Sequence, residues 1–273
     1  MNFNDIIYDK SEKIATITMN RPERFNAWTP RMGNEMRQAC YDAERDDSIR
    51  SIIITGAGKA YCAGADMENL SQIAEGRVSA GASIEPAPMP SNDVRPDFRG
   101  PFAYLLSLKK PVIGAINGAC AGLGFTTSLF QDIRIASDRA RMDLILVQRG
   151  LAMEHGSSWM LPRLVGVAKA IELAVTGRLV DANEALAIGL VHRVVSADLL
   201  IPTARQIAGE IASKCAPLGV ALAKKMVYEH LFTDLATAIK NEDEVMAVTT
   251  KSEDFKEAIK AFTEKRPAKF VGR

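Results

Sequence analysis

The sequence carries almost no net charge and few of the residues that build metal sites. Its 34 Lys and Arg residues are balanced by 33 Asp and Glu residues, which leaves a formal net charge of +1. Such a chain has no overall field to attract nucleic acid or an anionic membrane. The three histidines, His155, His192 and His230, form no H-E-x-x-H motif, so we expect no metal site.

Cysteine is also sparse. The four cysteines are scattered and include no C-x-x-C pair: Cys40, Cys62, Cys120 and Cys215. The first residues, MNFNDIIYDK, contain no basic segment followed by an apolar stretch, so we expect no signal peptide. Together these features predict a cytoplasmic protein with free thiols.

One uncharged run has the length of a membrane span, PVIGAINGACAGLGFTTSLF at 111–130. It contains Asn117 and four glycines. A strand, a glycine turn and a buried helix explain this composition better than a bilayer span does. We therefore predict no contact with a membrane.

Alternating strand and helix patterns occupy the first two-thirds of the chain. KIATITMNRP (13–22) and SIIIT (51–55) are predicted strands, and Thr29-Pro30 between them predicts a helix start. The apolar face of that helix comprises Met32, Met36, Ala39, Cys40 and Ala43. A strand–helix–strand order implies parallel strands with right-handed crossovers, so the pattern indicates an α/β core.

The pattern recurs and then changes. PVIGAI (111–116), a helix at 122–130 and IRIAS (133–137) form a second strand–helix–strand unit, whereas residues 75–101 are rich in Gly, Pro, Ser and Ala and suggest a flexible insertion. After LVHRVV (190–195) the chain is helical from about 197 to 262. We predict an α/β core over residues 1–196 and a C-terminal helical region over 197–273.

The segment GAGKAYCAGADM (56–67) follows a predicted buried strand and leads into a helix near Asp66. It is not a P-loop, because Ala60 follows Gly58-Lys59 where a P-loop has Ser or Thr. Its small residues instead allow backbone N–H groups to approach a ligand closely.

The segment NGACAGLGFTT (117–127) repeats this arrangement of strand, glycine turn and helix. A dinucleotide-binding motif would need a third glycine, and Thr127 occupies that position. Two turns that both present N–H groups can converge on one oxygen. We therefore predict an oxyanion hole for a carbonyl that becomes an enolate.

Five segments together resemble the crotonase superfamily, the enoyl-CoA hydratase/isomerase family. They are RPERFNAW, GAGKAYCAGADM, KKPVIGAINGACAGLGF, DIRIASDRARM and LPRLVG, in the family's order and spacing, and AFTEKRPAKF (261–270) looks like its closing segment. The resemblance implies an α/β fold with a crotonase-like ββα-repeat (spiral) core and a C-terminal helical trimerisation region. It also implies that the N–H groups of Ala65 and Leu123 form the oxyanion hole for an acyl-CoA thioester.

The same resemblance implies where coenzyme A lies, as part of the substrate and with no separate cofactor. The segment Arg24–Ala27 and the backbone of Ala63 would hold it. Phe262 and Lys265 would reach the coenzyme A of a neighbouring subunit, because the family forms homotrimers and dimers of trimers.

The chain departs from the family's hydratases at their two glutamates, whose places are taken by Thr126 and Leu146. Neither side chain transfers protons at neutral pH. By the same resemblance, Glu154 lies at the position where some enoyl-CoA isomerases of the family carry their single catalytic carboxylate. Apolar neighbours would raise its pKa if they enclose it: Leu151, Ala152, Met153, Trp159 and Met160.

The remaining polar residues near Glu154 receive other interpretations. We expect His155 to be structural, because adjacent side chains diverge unless the backbone is irregular. Ser157 and Ser158 are expected to cap a helix, and Asp143 is a possible second acid.

These observations favour an enzyme that isomerises the double bond of an enoyl-CoA, with Glu154 as its single acid and base. The alternatives are a hydratase that uses Glu154 with another carboxylate, a thioester or β-diketone hydrolase of the same fold with His155 assisting, and a non-catalytic acyl-CoA-binding scaffold.

Overall fold

The structure, a computed structural model, describes residues 2–77 and 94–273. Its strands are β1 (Ile6–Ser11), β2 (Ile14–Met19), β3 (Ser51–Gly56), β4 (Ala60–Cys62), β5 (Val112–Ile116), β6 (Ala119–Ala121), β7 (Ile133–Ser137), β8 (Arg141–Asp143), β9 (Val180–Asp181) and β10 (Arg193–Val195). Its helices are α1 (Pro30–Arg45), α2 (Met67–Ala74), α3 (Tyr104–Ser107), α4 (Leu123–Leu129), α5 (Ser157–Val165), α6 (Val167–Thr176), α7 (Ala182–Ala187), α8 (Leu200–Lys214), α9 (Pro217–Glu229), α10 (Leu235–Thr249) and α11 (Glu253–Thr263).

The strands form two sheets. The larger sheet has the order β1-β2-β3-β5-β7-β10 and the smaller has the order β4-β6-β8-β9. All neighbouring strands of the larger sheet are parallel except the hairpin of β1 and β2. Successive units therefore place one strand in each sheet before a helix follows, as in β3-β4-α2 and β5-β6-α4. This confirms the predicted α/β class and the ββα repeat.

The sequence patterns explain these elements. Strand β3 is buried on both faces, as its run of β-branched residues predicts. Helix α1 begins as predicted, with Pro30 in its first turn and the Thr29 side chain accepting the N–H of Met32. The predicted apolar face of α1 is buried: Met32, Met36, Ala39, Cys40 and Ala43.

The larger sheet has apolar side chains on both faces. One face packs against the main core, to which α1 contributes. The other packs against α8, whose buried side chains are Leu200, Ala204 and Ala208. The small alanines allow this helix to approach the sheet closely. Helix α8 thus packs with the α/β core, although it follows residue 196; the predicted division into two regions stays a prediction.

The rest of the C-terminal region is helical, as predicted, and α9 is joined to the core by a buried ion pair. Lys224 Nζ lies 2.7 Å from a carboxylate oxygen of Asp132, and the Tyr228 hydroxyl donates to the other oxygen at 2.9 Å. Assembly into trimers through this region remains a prediction.

Of the predicted insertion at 75–101, residues 78–93 lie outside the described residues, and Pro96–Arg99 forms a 3-10 helix. The uncharged run at 111–130 folds as β5, β6 and α4. Within residues 2–77 and 94–273, no helix has the length and apolar content needed to cross a membrane.

Candidate active site

The two glycine turns predicted from the sequence contact each other. Gly64 and Gly122 have φ angles of +98° and +49°, in the region that favours glycine. A Cβ atom placed on Gly122 would lie 3.6 Å from the Cα of Gly64. The residues that follow, Ala65 and Leu123, are therefore brought to the same place by two separate ββα units.

Helix α4 approaches β4 more closely than any side chain would permit at Gly124. A Cβ atom there would lie 2.3 Å from the carbonyl oxygen of Cys62 and 2.7 Å from its Cβ atom. Real Cβ atoms essentially never come this close, so glycine is required. The contact fixes the helix that begins at Leu123 against the strand that leads to Ala65.

The backbone N–H groups of Ala65 and Leu123 donate to no carbonyl of a neighbouring strand or of their own helix. A parallel bridge uses the amide of Trp28, which donates to Gly64, and the amide of Asp66, which donates to Trp28. The Ala65 N–H lies between these two bonds and takes part in neither. Leu123 is the first residue of α4, so its N–H has no acceptor within the helix. Neither N–H has an acceptor among residues 2–77 and 94–273, and two such donors at one place are what an oxyanion hole requires; the oxyanion hole stays a prediction.

The predicted coenzyme A segment lies beside this hole. The amide of Ala63 donates to the carbonyl of Phe25 at 3.1 Å, which joins the turn at 22–27 to the first glycine turn. Arg21 contacts both sides, because its Nη1 donates to Ala27 at 2.7 Å and to Asp66 at 2.8 Å. The structure thus places Ala27 and Ala63 together, with the Arg24 side chain exposed nearby.

An ion pair and a buried side-chain amide hold the predicted coenzyme A segment Arg24–Ala27 in place. Burial raises the pKa of the Asp66 carboxyl, but the hydrogen bonds from Arg21 and from the Glu68 N–H, together with the charges of Arg21 and Arg24, outweigh it and leave the pKa below its usual value. Asn26 is completely buried, and its side-chain amide donates to the carbonyls of Ala57 and Ala60 at 2.9 and 2.8 Å. The sequence implicates Asn26 only as a member of the segment Arg24–Ala27, with no role of its own. Its buried amide is the structural support of the predicted coenzyme A segment.

Glu154 lies in the loop before α5, and its backbone is fixed by a serine. The Ser157 hydroxyl donates to the Glu154 carbonyl at 2.8 Å and accepts the Glu154 N–H at 3.2 Å. The helix cap itself is Gly156, with no side-chain hydrogen bond. The capping role predicted for Ser157 is therefore wrong: this side chain holds the loop that carries the carboxylate. Ser158 is exposed.

The Glu154 side chain is 33% exposed. Burial raises the pKa of its carboxyl, while the charge of His155 acts in the opposite direction. The expected enclosure by apolar neighbours is only partial, because Leu151 and Ala152 are exposed whereas Met160 is buried. A carboxyl with a raised pKa is a stronger base toward a weakly acidic carbon.

The expectation that the side chains of Glu154 and His155 diverge is wrong. His155 has a φ of +51° and Gly156 a φ of +84°, which is the irregular backbone needed to bring neighbouring side chains together. The Nε2 atom of His155 lies 3.5 Å from a carboxylate oxygen of Glu154.

Aromatic rings connect this pair to the predicted oxyanion hole. The Phe102 ring meets the His155 ring edge-on, with centroids 5.3 Å apart, and meets the Trp28 ring edge-on at 5.1 Å. Trp28 is the residue whose backbone bridges Ala65. The sequence gave no signal for Phe102, which follows a Gly- and Pro-rich segment without periodicity. The three rings, which we call the aromatic wall (Trp28, Phe102 and His155), form a chain of contacts from the predicted oxyanion hole at Ala65 to the Glu154 carboxylate.

Residues 9–273 match the model of the enoyl-CoA hydratase/isomerase family. The chain belongs to this family. It is 33% identical over 260 residues to 1,2-epoxyphenylacetyl-CoA isomerase of Escherichia coli K12, covering 95% of each chain. It is 36% identical over 269 residues to the short-chain-enoyl-CoA hydratase of Clostridium acetobutylicum, covering 97% of each chain.

Solved structures give the same result. The enoyl-CoA hydratase of Bacillus anthracis is similar with a TM-score of 0.89 and 31% identity, over 99% of this chain and 100% of that one. The crotonase fold predicted from the resemblance is therefore confirmed. The relatives of this enoyl-CoA hydratase/isomerase family member include both isomerases and hydratases by name.

Within this family member, Thr126 and Leu146 are both buried and cannot transfer protons. Asp143 ends β8 opposite Ala121 of β6, beside the second glycine turn. Its carbonyl accepts the N–H of Gly122 at 3.1 Å, and its side-chain Oδ1 is buried with no partner in the part of the chain that the structure describes. Burial raises the pKa of its carboxyl, against an opposing effect of the Arg149 charge.

The two C-terminal residues predicted to bind coenzyme A are not brought to this site within one chain. Phe262 lies near the end of α11 and is 87% exposed. Lys265 follows the helix with a φ of +53°. Their predicted role at a neighbouring subunit stays a prediction.

Proposed function

We propose that this family member isomerises a 3-enoyl-CoA to the conjugated 2-enoyl-CoA, with Glu154 as its single acid and base. The observation that carries the proposal is the geometry of Glu154. Its carboxylate is partly buried, its backbone is fixed by Ser157, and the aromatic wall links it to the oxyanion hole. A single carboxylate is enough for isomerisation, whereas the hydratase positions hold Thr126 and Leu146.

The reaction needs one proton to move between two carbons. A Glu154 oxygen takes the proton from C2, and the electron pair of the C2–H bond delocalises into the thioester carbonyl. The N–H groups of Ala65 and Leu123 stabilise the negative oxygen of this dienolate. Glu154 then returns the proton to C4, the C2–C3 double bond forms, and the carboxylate is regenerated.

The coenzyme A part of the substrate would be held as the family resemblance implies. Arg24, Ala27 and Ala63 provide the sites on this chain. Phe262 and Lys265 would come from a neighbouring subunit of a homotrimer or a dimer of trimers. Their exposure in the single chain is consistent with that arrangement.

Product analysis tests the proposal. The protein is mixed with a 3-enoyl-CoA and, separately, with a 2-enoyl-CoA, and conjugation, hydration and release of free coenzyme A are followed. We expect conjugation of the 3-enoyl compound without hydration. In Glu154→Gln, we expect turnover to fall about 10²- to 10⁴-fold, the usual contribution of a general base, with binding of the 2-enoyl-CoA retained.

Other outcomes would contradict the proposal. Release of free coenzyme A would indicate a hydrolase, and tight binding without turnover would indicate a scaffold. Unchanged isomerisation by Glu154→Gln would show that another group is the base.

One observation favours a second candidate function, hydration with Asp143 as the second acid. The Asp143 carboxyl is buried beside the second glycine turn, its pKa is raised, and its Oδ1 has no partner among the described residues. A carboxyl with a raised pKa, when protonated, can deliver a proton during water addition. The decisive comparison is Asp143→Asn: hydration of the 2-enoyl-CoA by the native protein and its loss in this variant would establish the second function.

A further inference from the structure

The loop that carries Glu154 has an unusual backbone that brings two neighbouring side chains together. In a regular strand or helix, side chains at adjacent positions point in different directions. His155, with its φ of +51°, is in the left-handed region that few non-glycine residues adopt. The result is the 3.5 Å approach of the His155 Nε2 to the Glu154 Oε2.

The imidazole ring is held on its other side by the aromatic wall. Phe102 is completely buried and meets the ring edge-on at 79°. Phe102 is itself held edge-on by Trp28, at 87°. His155 is 20% exposed, so its ring has a restricted set of orientations.

The Glu154 carboxylate has no such restraint of its own. Ser157 fixes the backbone of Glu154, but the side chain has three rotatable bonds and is one-third exposed. The charge that acts on its carboxyl is that of His155. Of the groups that the described residues place against the loop, Phe102, Phe130 and Ser157 carry no charge.

We propose that His155 is a positioning residue that holds one oxygen of Glu154 and leaves the other oxygen directed at C2 of the substrate. This inference rests on the proposed function, in which Glu154 is the base. His155 does not exchange protons with the substrate. It sets the orientation of the carboxylate, and its charged form favours the ionised state of Glu154 that can accept a proton.

Two substitutions separate these effects. His155→Phe keeps a ring against Phe102 but removes the nitrogen and its charge. His155→Gln keeps a hydrogen-bond donor but cannot become charged. His230→Gln is the matched control, because it makes the same chemical change at a side chain that contacts neither Glu154 nor His155 in the described structure; the 3-10 helix His230–Phe232 reaches α5 through the Phe232 ring, which stacks on Trp159 at 5.2 Å.

The primary readout is exchange of the C2 hydrogen of an acyl-CoA for deuterium in D2O, followed by NMR. Proton abstraction alone drives this exchange, so it reports on Glu154 whether or not the product is an isomerised thioester. The second readout is the pH profile of kcat/KM, and the third is the separation of kcat from KM.

For His155→Phe we expect exchange and kcat to fall about 10- to 100-fold, the loss typical of a misplaced reacting group, with KM unchanged. The acidic limb of the profile should move to higher pH, because Glu154 loses the charge that lowers its pKa. His155→Gln should recover part of kcat but keep the shifted limb. His230→Gln should match the native protein.

Native exchange, kcat and pH profile in His155→Phe would overturn the inference. A rise in KM with no change in the pH profile would also overturn it, since that result indicates a purely structural role. The proposed function fails separately: if Glu154→Gln exchanges the C2 hydrogen at the native rate, Glu154 is not the base. If Glu154→Gln is inactive and His155→Phe is native, only the present inference is wrong.

Discussion

The substitution Gly124→Ala tests whether the contact between α4 and β4 builds the proposed oxyanion hole. The new Cβ atom would lie 2.3 Å from the Cys62 carbonyl oxygen, about 1.1 Å inside an ordinary contact of 3.4 Å. The two atoms that the new Cβ would meet are the carbonyl oxygen and the Cβ of Cys62. Both are fixed by the backbone of β4, so neither can move aside as the end of a flexible side chain could. The start of α4 must therefore shift away from β4 by about 1 Å, and Leu123 moves with it.

This displacement predicts two magnitudes. Overpacking of this kind costs about 1–3 kcal/mol of unfolding free energy. Moving an oxyanion donor by 1 Å costs about 100-fold in kcat, while the predicted coenzyme A segment at Arg24–Ala27 is untouched. The assays are denaturant unfolding, kcat on the preferred enoyl-CoA, and the affinity for coenzyme A measured by calorimetry.

Gly209→Ala is the matched control. A Cβ atom on Gly209, inside α8, meets nothing within 4 Å, so this variant should gain about 0.5–1 kcal/mol from helix propensity and keep native kcat. The reasoning is refuted if Gly124→Ala is as stable and as active as the native protein. It is also refuted if kcat falls no more in Gly124→Ala than in Gly209→Ala.

Further predictions concern pH and stability. Because burial raises the pKa of Glu154 and the base must be ionised, kcat/KM should decline with falling pH from a point above the usual glutamate range; a pH profile that is flat down to that range would contradict this. Burial also raises the pKa of Asp143 in the folded chain, so ionisation costs stability as pH rises through that pKa. Asp143→Asn should therefore stabilise the protein at pH 8 and lose this advantage in acid, as measured by thermal unfolding. Lys224→Met leaves Asp132 without its buried cation and should cost about 3 kcal/mol in denaturant unfolding, whereas Lys240→Met, at an exposed ion pair, should cost less than about 1 kcal/mol.

The elements that were predictable from the sequence have a strong local signal. The β-branched run at 51–55 gave β3, and Thr29-Pro30 gave the start of α1, because burial on both faces and capping each require particular residue types. The contact between the two glycine turns was also anticipated, since small residues in two turns at the ends of parallel strands leave room for a ligand.

Other features depend on contacts between distant segments and leave little trace in the sequence. Strands β4, β6 and β8 have three residues each, too few for a periodic pattern. The left-handed conformation of His155 reverses the side-chain direction that regular geometry predicts. Phe102 belongs to the aromatic wall only because the chain returns to Trp28 after a long insertion.

The most direct test of the account follows a deuterium atom placed at C2 of a 3-enoyl-CoA during a single turnover in ordinary water. If Glu154 alone moves the proton, part of the label should appear at C4 of the 2-enoyl product, and Glu154→Gln should abolish the transfer. A product that carries a hydroxyl at C3, or label that reaches C4 equally well in Glu154→Gln, would contradict the single-base mechanism.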